Sequence, residues 1–170
     1  FFRDADAFDA LERLVVPALF DGRGADASVR VWVPGCATGE EAYSIAILLH
    51  ERMAELPARP RVQIFATDID DAALKVARAG RYPATMLDGV VSPERQARYF
   101  TADGETLVLR REVRDLCVFS SHSVVRDPPF SRIDLVSCRN LLIYLDNEVQ
   151  RRVLPVFHYA LRPGGHLFLG

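Results

Sequence analysis

The chain has 170 residues, of which 49% are hydrophobic, so it is long enough to bury one sizeable core and has the length of a single domain. Its net charge of −2 and isoelectric point of about 6.1 argue against the basic surface with which dedicated nucleic-acid-binding proteins neutralise phosphates. Three widely spaced cysteines and the lack of an apolar run of about 20 residues predict a cytoplasmic protein with reduced thiols and no membrane insertion.

The first half of the chain predicts alternating helices and strands. Apolar residues at helical spacing predict a helix over Phe8–Phe20, irregular near Pro17, and a β-branched run predicts a strand over Val29–Val33. The next predicted elements are a helix at Glu40–Glu55, a strand at Val62–Asp68 and a helix at Asp71–Ala79 that Gly80 closes.

The stretch 82–115 interrupts this alternation. Ser92-Pro93-Glu94 is typical of a helix start, and a turn at Ala102–Glu105 between two apolar runs predicts a hairpin. We therefore expect a small helix-plus-hairpin insertion within a single domain that spans residues 1–170.

The alternation then resumes and continues to residue 170. The predicted elements are strands at Leu116–Ser120, Ile133–Ser137 and His166–Leu169, a helix from about Asn147 to Leu161, and a turn at Pro163–Gly165. Repeated β-α units predict an α/β fold, namely a doubly wound, Rossmann-like parallel sheet with helices on both faces.

The turn after the first predicted strand stands where a doubly wound fold binds the nucleoside half of a ligand. Gly35 and Gly39 let the backbone turn tightly and approach a ligand, although an ordinary β-α turn explains two glycines equally well. Glu40 and Glu41 add two carboxylates at a helix N-terminus, where a pyrophosphate would be repelled. S-adenosylmethionine instead presents an ammonium and a sulfonium, to which a carboxylate is complementary; the alternative is that both acids only complement the helix dipole.

Asp68 supplies a second part of the predicted site. It ends the second predicted strand, where an acidic group can accept both ribose hydroxyls of an adenosine. Asp70 and Asp71 are better explained as caps of the following helix. The four histidines lack metal-ligand spacing, and Cys36 and Cys138 have no evident partner base, so we expect neither a metal site nor a nucleophilic cysteine.

Several segments together resemble the chemoreceptor glutamate methyltransferases, the CheR family. The motifs that carry the resemblance follow one another in the family's order at Phe1–Asp4, Thr38–Ala46, Phe65–Asp70, Cys138–Tyr144 and Leu161–Gly165. The run Arg126–Arg132 is similar to CheR domains that are fused to a CheB methylesterase and PAS sensor modules. In the family, a helical domain precedes the residue equivalent to Phe1 and further strands follow Gly170, so we expect a longer parent protein.

The resemblance implies methyl transfer from S-adenosylmethionine to glutamate side chains on the cytoplasmic helices of chemoreceptors or of a related signalling protein, with S-adenosylhomocysteine as the product. It implies that Arg3 binds the carboxylate of the cofactor, that Glu41 meets its amino group and that Asp68 takes the ribose. Tyr144 would be the catalytic residue near the transferred methyl. The remaining implied cofactor-binding residues are Gly35 and Ala37 in the loop and Ser123, Val124, Arg139 and Asn140 around the adenosine and methionine moieties.

The chain departs from the family pattern at three places. Ser123 stands where the family usually has Asn, and Thr101-Ala102 stands where a basic residue often follows the Tyr-Phe pair. The hairpin turn is shorter than in members that grip a tethering peptide at the receptor C-terminus, which predicts that this protein recognises its substrate without such a peptide. Two alternatives stay open: a sensory module that binds the cofactor without catalysis, and an O-methyltransferase that acts on a small molecule.

Overall fold

The structure, a computed structural model, describes residues 1–139 and 141–170. The helices are α1 (Ala5–Ala10), a π-helical segment (Leu11–Val15), α2 (Val16–Phe20), α3 (Glu40–Ala54), α4 (Asp71–Ala79), α5 (Pro93–Tyr99), α6 (Arg111–Arg114) and α7 (Asn147–Ala160), with 3₁₀ turns at Ala84–Met86 and Leu142–Tyr144. The strands are β1 (Ser28–Pro34), β2 (Arg61–Asp68), β3 (Arg81–Pro83), β4 (Phe100–Asp103), β5 (Thr106–Leu109), β6 (Cys117–Ser121), β7 (Ile133–Cys138) and β8 (Leu161–Leu169). None of the helices in this described part of the chain is long and apolar enough to cross a membrane.

Five parallel strands form the main sheet in the order β6-β2-β1-β7-β8. From β1 the chain first builds β2 and β6 on one side, and later β7 and β8 on the other. The direction of winding therefore reverses at β1, and the carboxyl ends of β1, β2 and β7 meet at one edge of the sheet. Ligands bind at this switch point in doubly wound folds.

Hydrophobic clusters cover both faces of the sheet. On β1, Val31 and Val33 belong to the cluster that includes α2 and α3, whereas Trp32 belongs to the cluster that includes α7. The ring of Trp32 lies edge-on to that of Phe157 in α7, with ring centroids 5.7 Å apart. Because successive side chains of a strand point to opposite faces, helices pack on both sides of the sheet, and the predicted doubly wound fold is confirmed.

The first helical segment is irregular, as the sequence predicts, but the irregularity begins before Pro17. A π-helical stretch at Leu11–Val15 separates α1 from α2, and Pro17 lies in the first turn of α2. A proline that follows helical residues has no N–H to donate to the preceding turn, which accounts for an irregularity just before it. The helical segment also begins at Ala5, earlier than the predicted Phe8.

The insertion forms a separate antiparallel sheet of three strands in the order β3-β5-β4. The predicted hairpin is β4–β5, in which Phe100 pairs with Leu109 and Asp103 with Thr106 across a two-residue turn. The sequence did not predict β3 or α6, which have three and four residues. Elements this short show no periodicity that a sequence pattern can reveal.

The predicted turn at Pro163–Gly165 is wrong as a separate element, because these residues form an irregularity within β8. Leu161 pairs with Ile133 and His166 with Leu135, so the residues between them stand opposite Asp134 alone. The extra length lets Arg162 reach the buried carboxylate of Asp134, with Nε 2.5 Å from Oδ1.

Candidate functional site

A cavity of about 500 Å³ opens at the switch point, beside the carboxyl ends of β1, β2 and β7. Its walls come from the start of the chain, the loop after β1, the end of β2, the insertion and the residues that follow β7. The structure brings together there seven residues that the sequence assigned to the site: Arg3, Gly35, Ala37, Glu41, Asp68, Arg139 and Tyr144.

Two backbone N–H groups orient the carboxylate of Asp68 at the end of β2. The N–H of Ala37 donates to Oδ2 at 2.7 Å, and the N–H of Asp70 donates to Oδ1 at 3.0 Å. Each oxygen has two lone-pair sites, so both can accept a further hydrogen bond from a ligand hydroxyl. The Asp70 side chain itself accepts from the N–H groups of Ala72 and Ala73 and caps α4, which confirms the prediction for that residue.

The loop after β1 uses left-handed backbone conformations at Gly35 (φ 66°), Ala37 (φ 46°) and Gly39 (φ 93°). Both predicted glycines thus make the tight turn. The expectation that glycine at position 39 makes room for a ligand is wrong, because an added Cβ would meet the protein itself. It would lie 2.9 Å from Cβ of Ala77 and 3.1 Å from Cε1 of Phe119, so Gly39 lets the loop pack closely on α4 and β6.

Gly39→Ala is therefore expected to destabilise the fold, and Gly104→Ala is its matched control. The strain of a left-handed alanine plus overpacking should lower the free energy of unfolding by about 2–4 kcal/mol at position 39. Gly104 is also left-handed (φ 59°) but has open space around it, so the strain alone should cost about 1 kcal/mol there. Urea unfolding measures both values, and equal losses at the two positions would contradict the packing role of Gly39.

Glu41 places a largely buried carboxylate at the cavity wall. Oε1 accepts a hydrogen bond from the Ser137 hydroxyl at 2.5 Å. Burial raises the pKa of Glu41 above its ordinary value of 4.5, and the Ser137 hydrogen bond and the positive charge of Arg139 oppose the rise. Burial removes water from this carboxylate, so a cationic partner stabilises it more than it would stabilise an exposed one. This wall of the cavity therefore favours a positive ligand group.

Glu40 stands on the same helical turn and also lines the cavity. Its carboxylate accepts from the Thr38 hydroxyl at 2.7 Å. Two acidic side chains at this helix N-terminus disfavour a phosphate, which would otherwise bind there.

Two cysteine thiols close to the site are protonated at neutral pH. Burial, followed by the negative charge of Asp68, raises the pKa of Cys36 to about 12, and burial followed by Glu41 raises that of Cys138 to about 12. Nucleophilic cysteines need the opposite shift, so these shifts give no support to a nucleophilic role, and the absence of one stays a prediction.

The remaining predicted residues have different positions. Tyr144 lines the cavity from the 3₁₀ turn after β7, and its side chain is 80% exposed. Ser123 and Val124 are not among the residues that line this cavity; they follow His122, whose N–H donates to the backbone oxygen of Asp68 at 3.0 Å. Their predicted contacts stay predictions. Asn140 lies outside the described residues.

Sequence reasoning named the polar groups of the site and missed most of its apolar wall. The apolar residues that line the cavity are Phe1, Phe2, Phe8, Met86 and Leu141. Phe1 and Phe2 precede Arg3 within the same motif, so their position could have been inferred. Met86 comes from the insertion, far from the site in sequence, and no pattern in that segment links it to the cavity.

Comparison with known proteins identifies the family. A family model described as "CheR methyltransferase, SAM binding domain" matches residues 1–170. The chain belongs to the CheR methyltransferase family. The matching model describes an S-adenosylmethionine-binding domain, and the predicted resemblance and cofactor are confirmed.

Two relatives and one solved structure give the extent of the similarity. An uncharacterized 104.1 kDa protein of Rhodobacter capsulatus is 42% identical over 170 residues, which cover 100% of this chain and 18% of that protein. Chemotaxis protein methyltransferase 1 of Pseudomonas aeruginosa is 36% identical over 180 residues, which cover 99% of this chain and 63% of that protein. The chain thus spans less than two thirds of either relative. The CMeT domain of citrinin polyketide synthase shares the fold, with a TM-score of 0.59 at 16% identity over 95% of this chain and 34% of that one.

The groups in the cavity fit this cofactor. S-adenosylmethionine has a ribose diol, an ammonium and a carboxylate. Asp68 offers an oriented diol acceptor, Glu41 offers an anion to the ammonium, and Arg3 offers a cation to the carboxylate.

Proposed function

We propose that the protein transfers the methyl group of S-adenosylmethionine to glutamate side chains on chemoreceptor cytoplasmic helices or on a related signalling protein, forming glutamate methyl esters. The observation that supports this proposal best is that Glu41, Asp68 and Tyr144 line one cavity at the switch point of the sheet. Residues 1–170 form its S-adenosylmethionine-binding domain, with 82–115 as an inserted subdomain.

The residues of the cavity match the demands of this reaction. The cofactor supplies a methyl group on a positive sulfur, and a carboxylate attacks it in line, so that opposite charges disappear along the reaction path. A glutamate with a pKa of about 4.3 is already ionised at neutral pH, and the reaction needs alignment and exclusion of water more than a general base. The apolar wall that Phe1, Phe2 and Leu141 contribute serves this exclusion.

Each site residue then has a role. Arg3 binds the carboxylate of the cofactor, Glu41 its ammonium and Asp68 its ribose, while the backbone at Gly35 and Ala37 shapes the loop. Ser123, Val124, Arg139 and Asn140 surround the adenosine and methionine moieties.

The test is transfer of labelled methyl from S-adenosylmethionine to a receptor cytoplasmic fragment. The expected product carries a label that mild base releases as methanol, since esters are base-labile and amides and amines are not. Cofactor binding without transfer would favour the sensory module instead. The Thr101-Ala102 pair, which is exposed on β4 in place of the family's basic residue, is the observation that favours this second candidate.

Recognition of the receptor is proposed to be independent of a tethering peptide, because only two residues, Gly104 and Glu105, connect β4 to β5. Calorimetric titration with such a peptide should show no tight binding. Tight binding would overturn this part of the proposal.

Tyr144→Phe is expected to lower kcat about tenfold, because one hydrogen bond near the reacting groups contributes about 1.4 kcal/mol. Affinity for S-adenosylhomocysteine should not change. Tyr159→Phe is the matched control, since Tyr159 is 70% exposed on α7 and lies outside the cavity lining. Equal kcat values for the two variants would mean that the Tyr144 hydroxyl has no role in the reaction.

A further inference from the structure

We propose that Arg139 and Asp4 form a clamp that positions Arg3 over the cavity. Arg139 is then a positioning residue that acts through the first residues of the chain. This inference rests on the proposed role of Arg3 as the ligand of the cofactor's carboxylate.

The guanidinium of Arg139 is committed to other parts of the protein. The residue is 6% exposed, Nη2 forms an ion pair with Oδ2 of Asp4, and Nη1 donates to the backbone oxygen of Leu169 at 3.4 Å. Its Cζ lies 4.7 Å from the ring centre of Phe168. A Cβ added to Gly170 would lie 2.7 Å from this Cζ, so the guanidinium fills the space at the end of β8.

The segment that carries Arg3 needs such an anchor because its backbone is strained. Phe2 and Asp4 adopt φ values of 42° and 60°, a left-handed conformation that costs a non-glycine residue about 1–2 kcal/mol. Phe2 is held because its N–H donates to Oγ of Ser44 at 2.9 Å. Asp4 is held by Arg139, so Arg3 lies between two anchored neighbours while its own side chain is exposed at the cavity.

The clamp and simple electrostatics predict opposite effects of removing the carboxylate of Asp4. An acidic group next to Arg3 repels the cofactor's carboxylate, so by Coulomb's law alone its removal would tighten binding. If Asp4 holds Arg3 in place, its removal weakens binding. The sign of the change therefore separates the two explanations.

The experiment compares two ligands that differ at the amino-acid end. S-adenosylhomocysteine carries the carboxylate and ammonium, whereas 5′-methylthioadenosine lacks both. Asp4→Asn is expected to weaken binding of S-adenosylhomocysteine about tenfold, the effect of losing one charge-assisted hydrogen bond, and to change binding of 5′-methylthioadenosine by less than about twofold. Asp6→Asn, an exposed change in α1, is the control and should leave both dissociation constants unchanged.

A double variant tests whether Asp4 acts through Arg3. Arg3→Ala should lose affinity for S-adenosylhomocysteine selectively, and adding Asp4→Asn to it should cause no further loss, because residues in one unit are not additive. Asp4→Glu, which keeps the charge, should recover part of the affinity.

The outcomes separate the clamp from the function on which it rests. A selective loss in Arg3→Ala together with unchanged or tighter binding in Asp4→Asn would overturn the clamp alone. An equal loss for both ligands in Asp4→Asn would also overturn it, since that result indicates a general effect on the fold. No selective loss in Arg3→Ala would overturn the proposed role of Arg3 itself.

Discussion

Asp68→Asn is expected to lower the affinity of the protein for S-adenosylhomocysteine about 100-fold. The aspartate accepts from the N–H groups of Ala37 and Asp70 and is proposed to accept from both ribose hydroxyls. An asparagine keeps one acceptor oxygen, and its NH₂ group must then face a backbone N–H or a hydroxyl that needs an acceptor. Two weakened charge-assisted hydrogen bonds amount to about 3 kcal/mol, which is about 100-fold in the dissociation constant. Isothermal titration calorimetry measures this change in the dissociation constant.

The matched control for this prediction is Asp71→Asn. Asp71 is an exposed acid at the first residue of α4, so its loss should change the dissociation constant by less than about twofold. Because the ribose is common to both ligands, Asp68→Asn should weaken 5′-methylthioadenosine as strongly as S-adenosylhomocysteine. If the variant loses only S-adenosylhomocysteine binding, Asp68 contacts the amino-acid end of the ligand and not the ribose, which would contradict its proposed role.

The sequence predicts the position of Asp68 and the loop after β1 because both follow from local patterns. A β-branched run that stops at Pro34-Gly35 and a second run that stops at Asp68 mark two strand ends. In a parallel sheet the carboxyl ends of neighbouring strands lie at the same edge, so two strand ends far apart in sequence meet. The five strands of the main sheet were also predicted from local patterns of this kind, each a short run of strand-forming residues.

Contacts between distant side chains were not predicted from the sequence. The hydrogen bond between Ser137 and Glu41 joins residues 96 positions apart, and the ion pair between Arg139 and Asp4 joins residues 135 positions apart. The number of residues between the two members of a pair does not identify either contact. Which residue each side chain reaches depends on its direction at the end of β7, and the sequence does not show that direction. The same limit explains why Arg139 was assigned a place around the cofactor without its link to Asp4.

Glu41→Gln is expected to separate stability from binding. Burial raises the pKa of Glu41 in the folded protein above its ordinary value of 4.5, so the folded state binds this proton more tightly than the unfolded state does. The group's contribution to stability is then most favourable below about pH 4.5 and is lost as the pH rises through the raised pKa. At neutral pH a glutamine removes the buried charge while its oxygen can still accept from Ser137, and the Tm should rise.

The same substitution should weaken binding of S-adenosylhomocysteine about 100-fold, because the loss of a desolvated ion pair of good geometry costs about 3 kcal/mol. Binding of 5′-methylthioadenosine should not change, since that ligand has no ammonium. In the wild type, affinity for S-adenosylhomocysteine should fall as the pH drops through the raised pKa of Glu41, and the Glu41→Gln protein should lose this dependence. Glu40→Gln is the matched comparison: its carboxylate is engaged by Thr38, so we expect a loss of less than about fivefold.

A lower Tm together with weaker binding of both ligands would mean that Glu41 stabilises the fold. The buried carboxylate would then contribute to the stability of the fold, and it would not be a loss of stability that binding of a cation explains. A higher Tm with selective loss of S-adenosylhomocysteine binding is the result that the geometry supports, because Ser137 holds the carboxylate at the cavity wall against its own desolvation. A protein gains nothing in stability from keeping a charge in such a place, so that result would support the proposed role of Glu41 as the partner of a cationic ligand group.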